Sequence, residues 1–153
     1  MPCLIDTSIL VRLANANDVQ HDIATHAVLE LHRRGETLHL TPQVMVEFRS
    51  VATRPAEVNG LGLSAEDTEE LATEFEARFP MLTETPAIYP AWKDIVASVA
   101  IVGKQVHDAR LVAVCHVHSV THLMTFNAAH FTRFAGYGAG IMVVNPAGEA
   151  GRG

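Results

Sequence analysis

The stretch Cys3-Leu4-Ile5-Asp6-Thr7-Ser8 decides the fold, because a short apolar run ends there in a carboxylate and two hydroxyls. An apolar run of this length, bounded by residues that favour turns, is typical of a buried strand. The apolar residues after Ser8 predict a helix that a Thr or Ser side chain caps. Asp6 would then lie at the carboxyl end of a strand, where open α/β sheets bind their ligands. A second interpretation stays open, in which Asp6 only caps the helix.

Helices and strands alternate along the rest of the chain. Amphipathic spacing and capping residues predict five further helices, over residues 22–34, 42–54, 64–79, 86–103 and 109–117. Short apolar runs predict three further strands, over residues 37–40, 122–125 and 141–144. This alternation predicts a three-layer α/β/α sandwich with a central, mostly parallel sheet of four to five strands. We expect one domain over residues 1–147 and a disordered tail over residues 148–153.

The composition favours a soluble protein with one compact core. With 153 residues, 48% of them hydrophobic, the chain can bury a sizeable core. Its two cysteines cannot build a disulfide framework, which favours a reducing compartment. The longest apolar run, residues 95–102, is too short to span a bilayer. We therefore expect a cytoplasmic protein with no membrane partner.

The net charge of −6 argues against a protein that binds nucleic acid through bulk positive potential. It does not exclude nucleic acid as a substrate. Phosphates can approach an acidic site when divalent ions neutralise its carboxylates and a few basic side chains line the entrance.

Three further polar residues stand near strand ends or on apolar faces. Glu47 lies on the apolar face of its predicted helix, and the positions one turn away hold no basic residue that could pair with it. Asp108 is predicted to open a helix, where an N-cap is the simplest interpretation. Asn127 follows a predicted strand, where an amide more often forms a turn. Like Asp6, however, each of these residues lies at the end of a predicted strand or on an element that directly adjoins one.

Four ordered segments resemble the motifs of the PIN-domain nucleases. The segments are Leu4-Ile5-Asp6-Thr7-Ser8, Val46-Glu47-Phe48, Val106-His107-Asp108-Ala109-Arg110-Leu111-Val112-Ala113, and Leu123-Met124-Thr125-Phe126-Asn127 followed by Phe131. The resemblance covers nearly the whole chain, from Leu4 to about Val144, and in size the chain is similar to the VapC-type toxins of toxin-antitoxin pairs.

The resemblance implies a PIN-like fold and a metal-dependent endoribonuclease. Asp6, Glu47 and Asp108 match the three principal acid positions, which surround Mg²⁺ or Mn²⁺ in that family. Hard divalent ions bind oxygen ligands, so the chemistry of these side chains fits. The resemblance also implies an RNA substrate, a cognate antitoxin and a homodimer.

The chain departs from the family pattern at its fourth acid position, where Asn127 stands. An amide oxygen can ligate an ion or orient a water, but it brings no charge, which puts a second ion in doubt. Among the nearby side chains, hydroxyls could hold water or phosphate oxygens and basic groups could bind phosphate; they are Thr7, Ser8, Thr125, Arg12, Arg49, Lys104 and Arg110.

Two alternatives remain open. The first is a PIN-like module that has lost catalysis and binds RNA or a protein, which the amide at Asn127 allows. The second is a phosphotransfer enzyme similar to the haloacid dehalogenases, which also begin with an Asp after a strand. That family has a second Asp two residues later, and Ser8 occupies that position.

Overall fold

The computed structural model describes residues 1–138 and 140–150 and contains four strands and seven α-helices. The strands are β1 (Pro2–Ile5), β2 (Thr37–His39), β3 (His122–Met124) and β4 (Met142–Val144). The helices are α1 (Thr7–Ala14), α2 (His21–Arg33), α3 (Pro42–Thr53), α4 (Ala65–Arg78), α5 (Ile88–Val99), α6 (Gln105–Val117) and α7 (Pro146–Ala150). Short 3₁₀ turns lie at Ala56–Val58, Ala128–His130 and Thr132–Phe134.

The four strands form one parallel sheet in the order β2-β1-β3-β4. In the register of the sheet, Cys3 pairs with Leu38 on one side and with His122 on the other. The last three residues of β1 are all buried, as expected for a strand covered by helices on both faces. A single parallel bridge between Leu40 and Met81 follows β2. The predicted α/β/α sandwich is therefore confirmed, with four strands that are all parallel.

Local capping explains where several helices begin and end. Thr41 accepts a hydrogen bond from the Val44 amide at 3.0 Å, and Pro42 occupies the first turn of α3, as the sequence predicts. Ser64 caps α4 in the same way. After α2, Gly35 has a φ of 77°. Glycine adopts this left-handed conformation without strain, and the conformation terminates the helix.

Two helix boundaries differ from the prediction. α5 begins at Ile88 and already ends at Val99, because Ala100 adopts a left-handed conformation. α6 begins at Gln105, so Asp108 lies within its first turn and is not its N-cap.

The end of the chain also differs from the prediction. Residues 148–150, predicted as tail, belong to α7, and residues 151–153 lie outside the described part.

The helices pack in neighbouring pairs around a single buried cluster. α1 contacts α2 and α3, α3 contacts α4, α5 contacts α6, and α2 contacts α7. The largest fully buried side chains include Phe48, Phe131, Phe134, Leu4 and Leu123. No helix among the described residues is long and apolar enough to cross a membrane.

Candidate active site

Asp6 lies at the carboxyl end of β1 and is also the N-cap of α1. Its Oδ1 accepts a hydrogen bond from the Thr7 amide at 2.8 Å. Its Oδ2 accepts from Ser8 Oγ at 3.1 Å and from Thr125 Oγ1 at 2.6 Å. The cap of α1 is thus the acid itself, not a Thr or Ser as predicted. The carboxylate of Asp6 therefore caps α1 and also lies at the carboxyl end of β1, and its role as a ligand-binding residue stays a prediction.

Thr125 and Ser8 connect the end of β3 to the end of β1. Thr125 is completely buried, and its Oγ1 also accepts from the Asn127 amide at 2.9 Å. Ser8 Oγ accepts from the Phe126 amide at 3.1 Å. The bonds from Asp6 and Ser8 to this segment join residues that are more than a hundred positions apart, and they fix where the backbone of Asn127 lies relative to Asp6.

Glu47 is half-buried on α3 and is held by polar side chains. Its Oε2 accepts from Thr7 Oγ1 at 2.7 Å, and its Oε1 accepts from Gln43 Nε2 at 3.0 Å. These donors are neutral, so they orient the carboxylate without compensating its charge.

Asp108 presents its carboxylate from the first turn of α6. The carboxylate makes no hydrogen bond to a described residue. Burial raises the pKa of Asp108, the nearby charges of Asp6 and Glu47 raise it further, and His130 and Arg133 oppose these effects. The mutual repulsion shows that the three acids lie within electrostatic reach of one another.

The pKa of Asp6 is also raised, mainly because the carboxyl group is buried. Hydrogen bonds from Thr125, Thr7 and Ser8 lower the pKa by stabilising the charged form, and the charge of Glu47 raises it. Burial outweighs the three hydrogen bonds. A cation close to Asp6 and Asp108 would therefore stabilise the charged forms of both carboxyl groups.

One cavity of about 540 Å³ brings the four predicted site residues together. Asp6, Glu47, Asp108 and Asn127 all line it. Other polar and charged residues also reach its wall, namely Thr7, Ser8, Arg12, Asn15, Asp18, Asn59 and His130. The cavity is open and mainly polar, at the carboxyl edge of the parallel sheet.

Of the four predicted basic residues, only Arg12 lines this cavity within the described part of the chain. Its guanidinium lies over the Phe126 ring, 5.3 Å from the ring centre. Arg49 instead pairs with Glu69 on α4 at 2.8 Å. Arg12 is therefore the predicted basic residue that reaches the cavity among the described residues, and its guanidinium also contacts the Ser8 carbonyl oxygen at 3.3 Å.

Arg110 and Lys104 have other places in the structure. Arg110 Nη2 lies 2.7 Å from Glu84 Oε2. Lys104 is the residue before α6 and caps it without a side-chain bond. Neither residue lines the cavity among the described residues.

Sequence reasoning missed several residues of the site. His130 and Arg133 lie on the 3₁₀ turns after β3, and the charge of each acts on Asp108. The loop Asn59-Gly60-Leu61 forms another part of the cavity wall. A loop has no periodicity from which its contact with the cavity could be predicted. The one usable signal was the position of His130, which follows Asn127 by three residues.

The oxygen donors suit a hard divalent ion, although their positions do not form a closed cluster. Within the described residues, no group of three or more His, Cys, Asp or Glu side chains is arranged to hold a metal ion. Two features keep the carboxylates apart. Hydrogen bonds from Thr7 and Gln43 hold the Glu47 carboxylate, and the negative charges of the three acids repel one another. Among the described residues, nothing bonds the Asp108 oxygens and one amide bonds Asp6 Oδ1, so both carboxylates have lone pairs left for an ion. The donor chemistry of these residues therefore fits a divalent ion, and their side chains would have to move to enclose it.

Comparison with known proteins identifies the fold and the family. No curated protein matches the chain in sequence. Among solved structures, VapBC2 from Rickettsia felis bound to a DNA fragment from its promoter matches with a TM-score of 0.70 and 15% identity, covering 95% of this chain and 98% of that one. DNA-bound VapBC from Salmonella typhimurium matches with a TM-score of 0.69 and 14% identity, covering 95% and 98%.

A third structure, VapC20 from Mycobacterium tuberculosis, is described as a toxin that cleaves the sarcin-ricin loop. It matches with a TM-score of 0.57 and 17% identity, covering 79% of this chain and 86% of that one. The model of the PIN domain family matches residues 3–137, which include Asp6, Glu47, Asp108 and Asn127. With that match over most of its length and the acids gathered at the end of its sheet, the chain belongs to the PIN domain family.

Proposed function

We propose that this chain is a divalent-metal-dependent endoribonuclease and the toxin of a toxin-antitoxin pair. The observation that carries the proposal is the cavity that Asp6, Glu47 and Asp108 all line. Membership of the PIN domain family supports nuclease chemistry in that cavity. The proposed substrate is RNA, and the proposed assembly is a homodimer that binds a cognate antitoxin.

The structural relatives support the toxin role. Two of them are VapBC complexes bound to DNA, and a third is described as a toxin that cleaves the sarcin-ricin loop. Another is a toxin-antitoxin complex from Klebsiella pneumoniae, 19% identical to this chain. Since these likenesses are of fold, the activity and partners carried over from them are part of the proposal.

In the proposed reaction Asp6, Glu47 and Asp108 would hold Mg²⁺ or Mn²⁺. A bound divalent ion lowers the pKa of a ligated water and neutralises charge on the phosphoryl oxygens. The Asp6 carboxylate is preorganised for this role, because hydrogen bonds from Thr125 and Ser8 fix one of its oxygens. Asp108 has no competing hydrogen bond to a described residue. The reaction needs no Ser or His nucleophile.

Basic side chains at the wall of the cavity would bind the phosphate oxygens of the RNA backbone. Arg12 lines one part of the wall and His130 another. Arg133 lies near enough to Asp108 to lower the pKa of its carboxyl. Such groups compensate the acidic cavity locally, so that a polyanion can enter a protein whose net charge is −6.

A second candidate function is a PIN-fold module that binds RNA or a protein without cleaving it. Two observations favour it: no closed metal cluster forms among the described acids, and an amide occupies the position of Asn127. This module would bind RNA equally well in EDTA.

Cleavage of a long RNA by the purified protein, with Mg²⁺, with Mn²⁺ and with EDTA, tests the enzyme against the binder. We expect internal cleavage that requires the ion. Asp6→Asn and Asp108→Asn should each reduce the rate by more than about a hundredfold, because even indirect partners of metal ligands contribute up to that amount. Metal-independent RNA binding without cleavage would support the second candidate.

The toxin role needs a separate measurement. Expression of the wild type in bacteria should arrest growth and degrade RNA, and expression of Asp6→Asn at equal level should do neither. Growth arrest by both proteins would show that toxicity, if present, does not come from this site.

A further inference from the structure

The side-chain amide of Gln43 connects the two helices that carry Glu47 and Asp108. Gln43 lies in the first turn of α3, one turn before Glu47 and on the same face. Its Nε2 donates to Glu47 Oε1 at 3.0 Å and to the carbonyl oxygen of His107 at 2.9 Å. His107 directly precedes Asp108 on α6. One NH₂ group thus connects a site carboxylate to the backbone that carries another.

A further contact determines which way the Gln43 amide faces. Arg110 Nη1 donates to Gln43 Oε1 at 3.3 Å, and Arg110 Nη2 bonds Glu84 Oε2 at 2.7 Å. Both hydrogens of the amide and its carbonyl oxygen are therefore used. Turning the amide over would place its oxygen against the Glu47 carboxylate and the His107 carbonyl. The network permits only one orientation.

Glu47 is held from its other side by the element that carries Asp6. Thr7, next to Asp6, donates to Glu47 Oε2 at 2.7 Å. Each oxygen of Glu47 therefore has a donor that links it to one of the other two acids. Gln43 itself is not among the described residues that line the cavity. It therefore affects the site through its hydrogen bonds to Glu47 and to the backbone of His107.

We infer that Gln43 is a positioning residue that sets Glu47 relative to Asp108 and so determines the affinity of the site for a divalent ion. The inference rests on the proposed function, because it assigns the ion to these acids. Loss of the partners behind a metal ligand weakens metal binding by about tenfold to a hundredfold.

Gln43→Met is the direct test, because methionine keeps the length and the helix propensity of glutamine but donates no hydrogen bond. Calorimetry with Mn²⁺ should give a Kd about tenfold to a hundredfold higher than for the wild type. At subsaturating Mn²⁺ the kcat for RNA cleavage should fall, and the KM for RNA should stay constant. Higher Mn²⁺ should restore kcat.

Glu69→Gln is the matched control. It removes the Arg49–Glu69 ion pair, which also ties α3 to a neighbouring helix but lies away from the cavity. Its Kd for Mn²⁺ should equal that of the wild type. In EDTA, amide hydrogen exchange in the first turns of α6 should be faster in Gln43→Met than in the wild type or the control, since only Gln43→Met loses the bond to His107.

An unchanged Kd for Mn²⁺ in folded Gln43→Met overturns the inference. If that variant does not fold, Arg110→Lys replaces it, because lysine keeps the charge opposite Glu84 but lacks the planar donor to Gln43. It should also raise the Kd, and an unchanged value there overturns the inference too. Failure of the proposed function looks different: the wild type itself would bind no Mn²⁺ and cleave no RNA, and the inference would fall with it.

Discussion

Thr125 is a buried hydroxyl that stabilises the charged form of the Asp6 carboxylate and also holds the segment after β3. Its Oγ1 donates to Asp6 Oδ2 at 2.6 Å and accepts from the Asn127 amide at 2.9 Å, with no exposed surface. A buried group that loses its hydrogen-bond partner bears the full cost of its desolvation. The side chain of Thr125 therefore contributes to both the fold and the site.

Replacement of Thr125 by valine should lower the free energy of unfolding by about 1–3 kcal/mol, because Asp6 Oδ2 loses one of its two donors and the Asn127 amide loses its acceptor. RNA cleavage should also fall. Thr68→Val is the matched control, since Thr68 is 2% exposed and its Oγ1 has no hydrogen-bond partner among the described residues. Urea unfolding should show little change or a gain for the control. Equal losses in the two variants would contradict the prediction.

The raised pKa of Asp108 makes stability depend on pH in a defined direction. Its ordinary value is 3.8, and burial with the charges of Asp6 and Glu47 raises it in the fold. The charged form is thus penalised in the folded state, so stability falls as the pH rises from about 3.8 through the raised pKa.

In EDTA at pH 7, Asp108→Asn should therefore melt at a higher temperature than the wild type. The difference should vanish as the pH falls below 3.8, where the carboxyl is neutral in both states. Asp22→Asn, which removes an exposed acid from the first turn of α2, should give no gain. A constant difference at all pH values would show that charge is not the cause.

Asn127 lines the cavity, and its side-chain amide makes no hydrogen bond to a described residue. Asn127→Asp adds a negative charge there at nearly constant volume. We expect a lower melting temperature in EDTA and a larger rise on addition of Mn²⁺ than in the wild type, because stabilisation by a ligand grows with its affinity. Equal rises in the two proteins would place Asn127 outside the metal site.

At the scale of elements, the loop between α3 and α4 is shaped by a close backbone approach. The Gly62 amide donates to the Arg54 carbonyl oxygen at 2.8 Å. A Cβ on Gly60 would lie 1.9 Å from that same oxygen, so only glycine fits. Because Asn59, Gly60 and Leu61 line the cavity, this backbone contact also sets one of its walls.

Gly60→Ala should force the loop to move and should weaken both stability and RNA cleavage. Gly35→Ala is the control, because its φ of +77° strains an alanine by about 1–2 kcal/mol but no atom lies within 4 Å of the new Cβ. The control should lose only that amount of stability, and its rate of RNA cleavage per folded molecule should equal that of the wild type. Cleavage by Gly60→Ala at the wild-type rate would remove the loop from the site.

Element by element, the sequence predicts the strands well, because an apolar run of four or so residues between turn-forming residues is too short for a stable helix. The predicted start of α6 is wrong, because Lys104 caps the helix without a side-chain bond and Asp108 imitates a cap three residues into it. The sequence predicts the three acids and the amide as one set, and all four line one cavity. Arg49 and Arg110 lie away from it, because the rotation of each helix about its axis decides their partners.

At the scale of the whole molecule, an acidic protein contains an acidic cavity. The net charge is −6, and the carboxylates of Asp6, Glu47 and Asp108 line the cavity. A metal ion and a basic side chain of an antitoxin would compete for the same charge. Linkage requires that each reduces the affinity of the other by the same factor.

We therefore expect antitoxin affinity, measured by calorimetry, to be higher in EDTA than in saturating Mg²⁺. An antitoxin whose basic residue near Asp6 and Asp108 is replaced by alanine should bind more weakly and lose this dependence. Wild-type affinity that is equal in EDTA and Mg²⁺ would show that the antitoxin does not reach the acids.

The pairing of β1 with β3 has a consequence for synthesis. Asp6 and Thr125 are 119 positions apart, and the central strand β1 has β3 as one of its two neighbours. Such distant pairing is slow to form and requires both segments to be present. A ribosome that has made only the segment before His122 carries Asp6, Glu47 and Asp108 but neither β3 nor Thr125. If the proposed function holds, we expect chains that end before His122 to have no RNA-cleaving activity, because they lack the strand and the hydroxyl that hold Asp6.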